Sequence, residues 1–256
     1  MKITYEKLID KMNNLSDYEK KLLLIYNSGL SYHINEITSI DEFMNKNPDE
    51  IIEEIHNKEE FYRKFRLFAK KINMTANKEI KNQFFDDIDF ENISIFIENM
   101  KEKYMKINEV KNKIVLDEDI TVYRGCSYSK DKFKISKGNL ISTTLDPEIT
   151  EKYLFIKKNN KNILYEIKVK KGTPLLVLPY SIKEIYDSEV DYLLGKMPKR
   201  LEVKNEVNSL QQEVILFKDT LDFELTKTKK IDEYSLTVEK YNTKLKEKNK
   251  TNVNTK

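Results

Sequence analysis

Hydrophobic and polar positions change their period near residue 115 of this chain. Before that point apolar residues recur at helical spacing, and after it β-branched and apolar residues alternate in units of strand length. The pattern predicts helices near 3–13, 17–28, 40–46, 48–56, 58–73, 90–106 and 147–157. It predicts strands near 120–124, 139–145, 161–170, 174–178, 212–217, 221–226 and 233–241. Helices followed by a run of strands indicate α+β architecture.

Three local signals mark helix starts in the first half of the chain. Ser16 with Glu19, and Ser39 with Glu42, have the spacing of a capping box. Asn47 directly precedes a proline, which suits an N-cap followed by proline at the first helical position. We therefore expect helices to begin close to each of these three sites.

Composition excludes several classes of function. The single cysteine, Cys126, excludes an internal disulfide, and two histidines are too few for a histidine-based metal site. A net charge of +3 is too small to indicate, by itself, that the protein binds nucleic acid. No apolar run reaches the length of a membrane span, and charged residues interrupt the first turn before any secretory signal forms. We expect a cytoplasmic protein, a protein exported by a route without such a signal, or one whose signal has been removed.

Three short segments each combine a strand pattern with one polar group that an ordinary strand does not need. They are residues 120–125 with Arg124, residues 140–144 with Ser142, and residues 211–216 with Gln211 and Glu213. Lysine is far more frequent than arginine in this chain. An arginine at a strand end therefore favours a role for its planar fork of donors over a role for charge alone.

Together the three segments resemble the mono-ADP-ribosyltransferase exoenzymes, a clan of bacterial toxins and phage enzymes that includes the clostridial Rho-modifying exoenzymes. That clan shares an arginine, a Ser-Thr-Ser strand and a Gln/Glu-x-Glu pair. The resemblance implies a helical lobe packed on a mixed, mostly antiparallel β-sandwich that binds NAD. It divides the chain into a lobe at 1–114, a β core at 115–242 with an insertion near 180–208, and a disordered polar tail at 243–256. A tyrosine-rich stretch at 26–35 resembles the lobe of these toxins.

The resemblance also assigns roles to individual residues. Arg124 would bind the NAD pyrophosphate, and the backbone of Gly125 would hold the nicotinamide amide. Ser142 would orient the catalytic carboxylate of Glu213, and Asn139 matches a position where some relatives place an asparagine near the nucleotide. Thr143 and Thr144 would serve the backbone scaffold.

The implied reaction uses NAD as a substrate and needs no metal. Gln211 lies two residues before Glu213, so on an extended strand both side chains would leave the same face. A glutamine there implies an asparagine-like acceptor on a protein more than an arginine, with a host GTPase as one such target. NAD hydrolysis would be a side activity, and we expect a monomer. Guanine in a nucleotide or nucleic acid is the alternative acceptor, and a catalytically dead binding domain is the second alternative.

Three features depart from the motif pattern or compete with it. Glu189 and Asp191 form a second candidate pair, but its aspartate is one methylene shorter, and the flanks of Gln211 and Glu213 continue correctly to the end of the fold. No arginine occurs between Gly125 and Lys199, so the second phosphate-binding arginine of many relatives is missing, and a lysine at 152, 157 or 158 would replace it. Asn208 stands where the Rho-modifying enzymes have an aromatic residue, which puts Rho specificity in doubt.

Overall fold

The fold consists of N-terminal helices followed by a seven-stranded sheet, which confirms the α+β prediction. The computed structural model describes residues 5–75, 85–128, 138–151, 154, 161–178, 212–231 and 236–246. Its helices are α1 (Tyr5–Met12), α2 (Asp17–Ile25), α3 (Ser31–Ile37), α4 (Pro48–Glu54), α5 (Lys58–Thr75), α6 (Ile93–Val110) and α7 (Pro147–Glu151). Its strands are β1 (Ile120–Tyr128), β2 (Leu140–Thr144), β3 (Lys161–Val169), β4 (Leu175–Val177), β5 (Glu213–Phe217), β6 (Leu221–Ile231) and β7 (Leu236–Leu245).

Two of the three predicted helix starts are correct. Ser16 and Glu19 form a complete capping box at the start of α2. Asn47 caps α4, with a proline at its first position. The third start fails because Glu42 has φ 58°, a left-handed conformation that a right-handed helix cannot contain. The predicted helix 40–46 was therefore wrong, and the structure has a short 3₁₀ turn, Phe43–Asn45, in its place.

The chain bends sharply between α2 and α3. The predicted helix 17–28 ends at Ile25, a π-helical turn covers Tyr26–Leu30, and α3 was not predicted at all. Gly29 lies in this turn with φ 124°, which residues with a Cβ rarely adopt. The bend directs α3 against α6, so the helical lobe folds back on itself.

The seven strands run in the order β4-β5-β2-β1-β3-β7-β6. The β3–β7 pair is parallel, and the other neighbouring pairs are antiparallel. The β2–β5 ladder extends from Leu140↔Phe217 to Thr144↔Glu213, but β1 and β2 are paired at Tyr123↔Thr144 alone within the described strands. The sheet therefore divides into two halves that separate beside this pair.

The helices and the sheet share one buried core. Leu23 on α2, Phe96 on α6, Ile141 on β2 and Val214 on β5 are all at most 1% exposed. Strand β7 continues through a buried Thr243 to Leu245, so residues 243–245 belong to the sheet and not to the predicted tail. Within the described part of the chain, no helix combines the length and apolar character of a membrane span.

Candidate active site

A cavity of about 270 Å³ opens where the two halves of the sheet separate. Strands β1, β2 and β5 and helix α7 form its walls. The lining residues are Tyr123, Arg124, Gly125, Ser142, Thr143, Thr144, Ile149, Thr150 and Glu213. Four of the residues singled out from the sequence, Arg124, Gly125, Ser142 and Glu213, thus lie around one cavity, although they are far apart in the chain.

The β2–β5 ladder brings Ser142 to Glu213. Glu213 is the first residue of β5 and lies opposite Thr144, so Ser142, two residues earlier on β2, is on the same face and diagonal to it. The Ser142 hydroxyl donates a hydrogen bond to Glu213 Oε1. On the other face, Thr143 Oγ1 donates to the Val214 carbonyl at 2.7 Å. Thr143 thus supports the strand pairing while Ser142 holds the carboxylate.

Arg124 joins β1 to this pair. Its Nη1 donates to the Ser142 carbonyl oxygen at 2.6 Å, which fixes one edge of the guanidinium. Its Nε is buried and has no hydrogen-bond partner among the residues that the structure describes. Buried donors are normally satisfied, so an unpaired N–H beside a cavity is a donor available to a ligand. We call Arg124, Ser142 and Glu213 the pocket cluster.

The Glu213 carboxyl experiences opposing electrostatic effects. Burial raises its pKa, while the hydrogen bond from Ser142 and the positive charge of Arg124 lower it. The net result is a pKa above the ordinary value of 4.5. The pocket cluster therefore holds a carboxylate in a low-dielectric position, where its interaction with a nearby positive charge is strong.

Gly125 sets the distance between β1 and α7. A Cβ at this position would lie 2.4 Å from the Thr150 carbonyl oxygen, which is too close for any real contact. Any other residue would force α7 away from the strand and change this wall of the cavity. The requirement for glycine is thus one of space.

Asn139 is not among the residues that line the cavity. Its side-chain Oδ1 accepts a hydrogen bond from the Asp219 amide at 2.7 Å, and its Nδ2 donates to the Tyr104 hydroxyl. Its backbone N–H donates to Thr38 Oγ1 at 3.2 Å, and its carbonyl accepts from the Lys218 amide at 2.8 Å. Every polar group of Asn139 therefore has a partner within the protein.

These contacts belong to a network at the seam between the helical lobe and the sheet. Lys111, which follows α6, pairs with Asp219 at 3.0 Å, and Asp219 and Tyr104 each contact Asn139. We call Asn139, Tyr104, Asp219 and Lys111 the seam network. The structure thus places Asn139 in this network and outside the cavity lining, and its role near the nucleotide stays a prediction.

Gln211 lies outside the described residues, as do the competing pair Glu189 and Asp191, the segment 180–208, and the lysines at 152, 157 and 158. The next residue, Gln212, has φ 44°. The expectation that the side chains of Gln211 and Glu213 share a face requires an extended residue between them. Because residue 212 is left-handed, the two-residue alternation of an extended strand does not apply across it.

Tyr26 begins the tyrosine-rich stretch at 26–35 in the helical lobe. The sequence assigned it no role at the site. It is 3% exposed, and Asn35 Nδ2 donates to its hydroxyl at 3.2 Å. Burial raises its pKa most, and the charges of Glu213 and Arg124 also act on it in opposite directions. The helical lobe therefore brings a phenol close to the pocket cluster. The tyrosine-rich pattern at 26–35 was its sequence signal.

Among the described residues, no group of three or more histidine, cysteine, aspartate or glutamate side chains is arranged to hold a metal ion.

Comparison with known proteins gives one sequence relative and several structural neighbours. No protein-family model matches the chain. YydD, an uncharacterized protein of Bacillus subtilis, is 25% identical over 224 residues, which is 84% of this chain and 34% of YydD. The chain therefore spans about a third of the length of that relative.

The structural neighbours are ADP-ribosyltransferases. Plx2a, a toxin of Paenibacillus larvae, is 13% identical with a TM-score of 0.44 over 96% of this chain and 98% of that one. C3larvin from the same organism is 12% identical with a TM-score of 0.42, covering 94% of both chains. Vis toxin of Vibrio splendidus is 14% identical with a TM-score of 0.38, over 78% of this chain and 90% of that one.

Proposed function

We propose that this chain is a mono-ADP-ribosyltransferase that cleaves NAD at the nicotinamide–ribose bond and transfers ADP-ribose to a protein acceptor. The observation that carries the proposal is the hydrogen bond from the Ser142 hydroxyl to Glu213 inside a cavity that Arg124 also lines. A carboxylate oriented by a hydroxyl and flanked by a guanidinium with an unused donor fits a substrate that has both a ribose and phosphates.

In this reaction the carboxylate of Glu213 stabilises developing positive charge. The bond between the ribose C1′ and the nicotinamide nitrogen breaks, and its electron pair leaves with nicotinamide. The ribose gains oxocarbenium character, as in glycoside cleavage, and a fixed negative charge beside it lowers the barrier. The acceptor then forms a bond to C1′ and releases its proton. Ser142 keeps the carboxylate in place throughout.

Arg124 and Gly125 provide the binding part of the proposal. The free Nε of Arg124 suits a phosphate oxygen, since a guanidinium presents donors in a plane that matches an oxyanion. The cavity volume, about 270 Å³, lies at the lower end of the range for small-molecule sites. We therefore assign the cavity to the nicotinamide-ribose end of NAD, with the wall at Gly125 beside the nicotinamide amide.

The acceptor assignment rests on Gln211. An amide can hydrogen-bond an amide or a base edge but is a poor general base, so an asparagine-like group on a protein is favoured over the guanidinium of arginine. Labelled NAD incubated with a cell lysate tests this choice. We expect label on protein, with NAD hydrolysis as a side reaction. Label on nucleic acid would favour guanine as the acceptor, and no turnover of NAD would contradict the enzyme proposal.

Glu213→Gln is the variant that tests the chemistry. The substitution removes the charge and keeps the shape, so we expect kcat for NAD cleavage to fall by about 10²–10³-fold with little change in KM. Asp191→Asn is the control, because it removes the charge of the competing motif. Activity retained in Glu213→Gln and lost in Asp191→Asn would show that the catalytic pair is Glu189 and Asp191.

The raised pKa of Glu213 gives the same variant a second readout. A folded-state pKa above 4.5 means that the folded protein binds this proton more tightly than the unfolded chain does. The contribution of Glu213 to the free energy of unfolding is therefore present at low pH. It is lost as the pH rises through the pKa that Glu213 has in the folded protein. At neutral pH the charged side chain disfavours folding, so Glu213→Gln should raise the melting temperature while it removes activity. Wild-type kcat should also decline in acid at a higher pH than an ordinary glutamate would give.

A further inference from the structure

Gln212 has a backbone conformation that its side chain disfavours. Its φ of 44° lies in the left-handed region, where a Cβ approaches the following carbonyl oxygen. Among the described residues, Glu42 is the other non-glycine residue with a positive φ. Strain of this kind persists when surrounding contacts determine the backbone, and it is concentrated at functional sites.

Two hydrogen bonds fix the backbone around Gln212. Its carbonyl oxygen accepts from the Leu145 amide at 3.2 Å, one residue beyond the end of β2. The next carbonyl oxygen, that of Glu213, accepts from the Leu178 amide at 3.0 Å, one residue beyond the end of β4. The two carbonyls are therefore held by strands on opposite sides of β5, and the Glu213 backbone is fixed between them.

We infer that Gln212 is a positioning residue, whose left-handed conformation lets β5 begin at Glu213 with the carboxylate against Ser142. A residue that prefers negative φ would release the Leu145–Gln212 hydrogen bond or turn the start of β5. Either change moves the α-carbon of Glu213 relative to Ser142, and a catalytic carboxylate is sensitive to small displacements. This inference rests on the proposed cleavage of NAD and assigns to that reaction a residue that does not line the cavity.

The test is a series of variants at position 212, with steady-state NAD cleavage and thermal unfolding measured for each. Gln212→Gly and Gln212→Asn, whose residues tolerate left-handed φ, should keep the wild-type kcat. Gln212→Val, with its branched Cβ, should lower kcat about tenfold and leave KM for NAD unchanged, because Arg124 and Gly125 are on β1. Restoration of kcat by glycine would show that conformation, and not the amide group, is what matters.

Glu42→Val is the matched control. Glu42 has φ 58°, is exposed, and does not line the cavity, so the same substitution introduces the same backbone strain elsewhere. We expect both valine variants to lower the melting temperature and only Gln212→Val to lower kcat. A purely structural role for Gln212 would give the same result at both positions.

If the wild-type enzyme cleaves NAD, two results would overturn the inference. One is a wild-type kcat in Gln212→Val, and the other is a loss of kcat in Gln212→Gly as large as that in the valine variant. If the wild-type protein did not cleave NAD at all, the proposed function and this inference would both be rejected. The wild-type rate, measured first, thus distinguishes the two failures.

Discussion

Strand β2 has a polar cluster at each end, and the two clusters differ in how completely their hydrogen bonds are satisfied. In the seam network, every polar group of Asn139 has a partner within the protein. In the pocket cluster, Arg124 binds Ser142 through one nitrogen, and its buried Nε has no partner within the described part of the chain. Ser142 and Glu213 belong to the β2–β5 ladder, and Asn139 directly precedes β2, so the two clusters lie at opposite ends of one strand.

The contrast separates a structural role from a binding role. A buried network whose members are all satisfied stabilises one arrangement of the chain and offers nothing to a ligand. A buried donor without a partner costs stability and is retained where a ligand completes it. On this criterion the seam network joins the helical lobe to the sheet, and the pocket cluster is the part of β2 to which the proposed function assigns substrate binding.

The largest effect should come from Asn139→Ala. This change removes the partners of the Asp219 amide and the Tyr104 hydroxyl, and we expect the free energy of unfolding to fall by about 3 kcal/mol. NAD affinity, measured by calorimetry below the melting temperature, should match the wild type. Reduced affinity in the folded variant would support the role near the nucleotide that the sequence predicts for Asn139.

Asn92→Ala provides the control for that measurement. Asn92 caps α6 in the helical lobe, where its side chain accepts hydrogen bonds from the amides of Ser94 and Ile95. Loss of a single exposed cap should cost about 1 kcal/mol. If the two alanine variants were equally destabilised, the seam network would contribute no more than an ordinary cap.

Arg124→Lys tests the other end of the strand. Lysine keeps the positive charge but cannot bond Ser142 and present a second donor in one plane. We expect NAD to bind about tenfold more weakly, with a small change in unfolding free energy. Equal NAD affinity for the two proteins would show that the unused donor of Arg124 does not meet the substrate.

The sequence predicted the pocket cluster better than the seam network. Ser142 and Glu213 are unusual polar residues in apolar strands, so a pattern marks them. Asn139 also stood out, but its partners Tyr104 and Asp219 are 35 and 80 residues away along the chain. No local pattern reports contacts of that kind, and hence nothing in the sequence indicated the seam network around Asn139.

The fold was predictable where local signals agree with tertiary structure. The capping residues Ser16 and Asn47 begin helices as expected, since those bonds are made within three residues. Ser39 and Glu42 have the same spacing, but the left-handed Glu42 prevents a helix. Strand β6 continues to Ile231, beyond the predicted end at 226, through an exposed lysine-rich stretch paired with β7. Pairing with a neighbour, and not the side-chain pattern, extends this strand.

Tyr104→Phe should give the smallest effect, because it removes one member of the seam network and keeps the packing. The ring of Tyr104 lies 5.4 Å from that of Phe43, and phenylalanine preserves this contact. Loss of the hydroxyl leaves Asn139 Nδ2 without its acceptor, which should cost about 1 kcal/mol in urea unfolding at pH 8. No change at pH 8 would remove Tyr104 from the network.

The pH dependence of the same variant tests whether this loss of stability comes from the buried hydroxyl of Tyr104. Burial, the largest cause, and the negative charge of Asp219 raise the pKa of Tyr104, the hydrogen bond from Asn139 lowers it, and the net value is about 12. Below pH 10 both the folded and unfolded forms are protonated, so the hydroxyl contributes its full stability. Between pH 10 and about 12 the unfolded chain loses this proton first, and the contribution declines. The stability difference between wild type and Tyr104→Phe should therefore shrink from pH 8 to pH 11. A constant difference would mean that the phenol titrates as it does in the unfolded chain and is not buried in the seam.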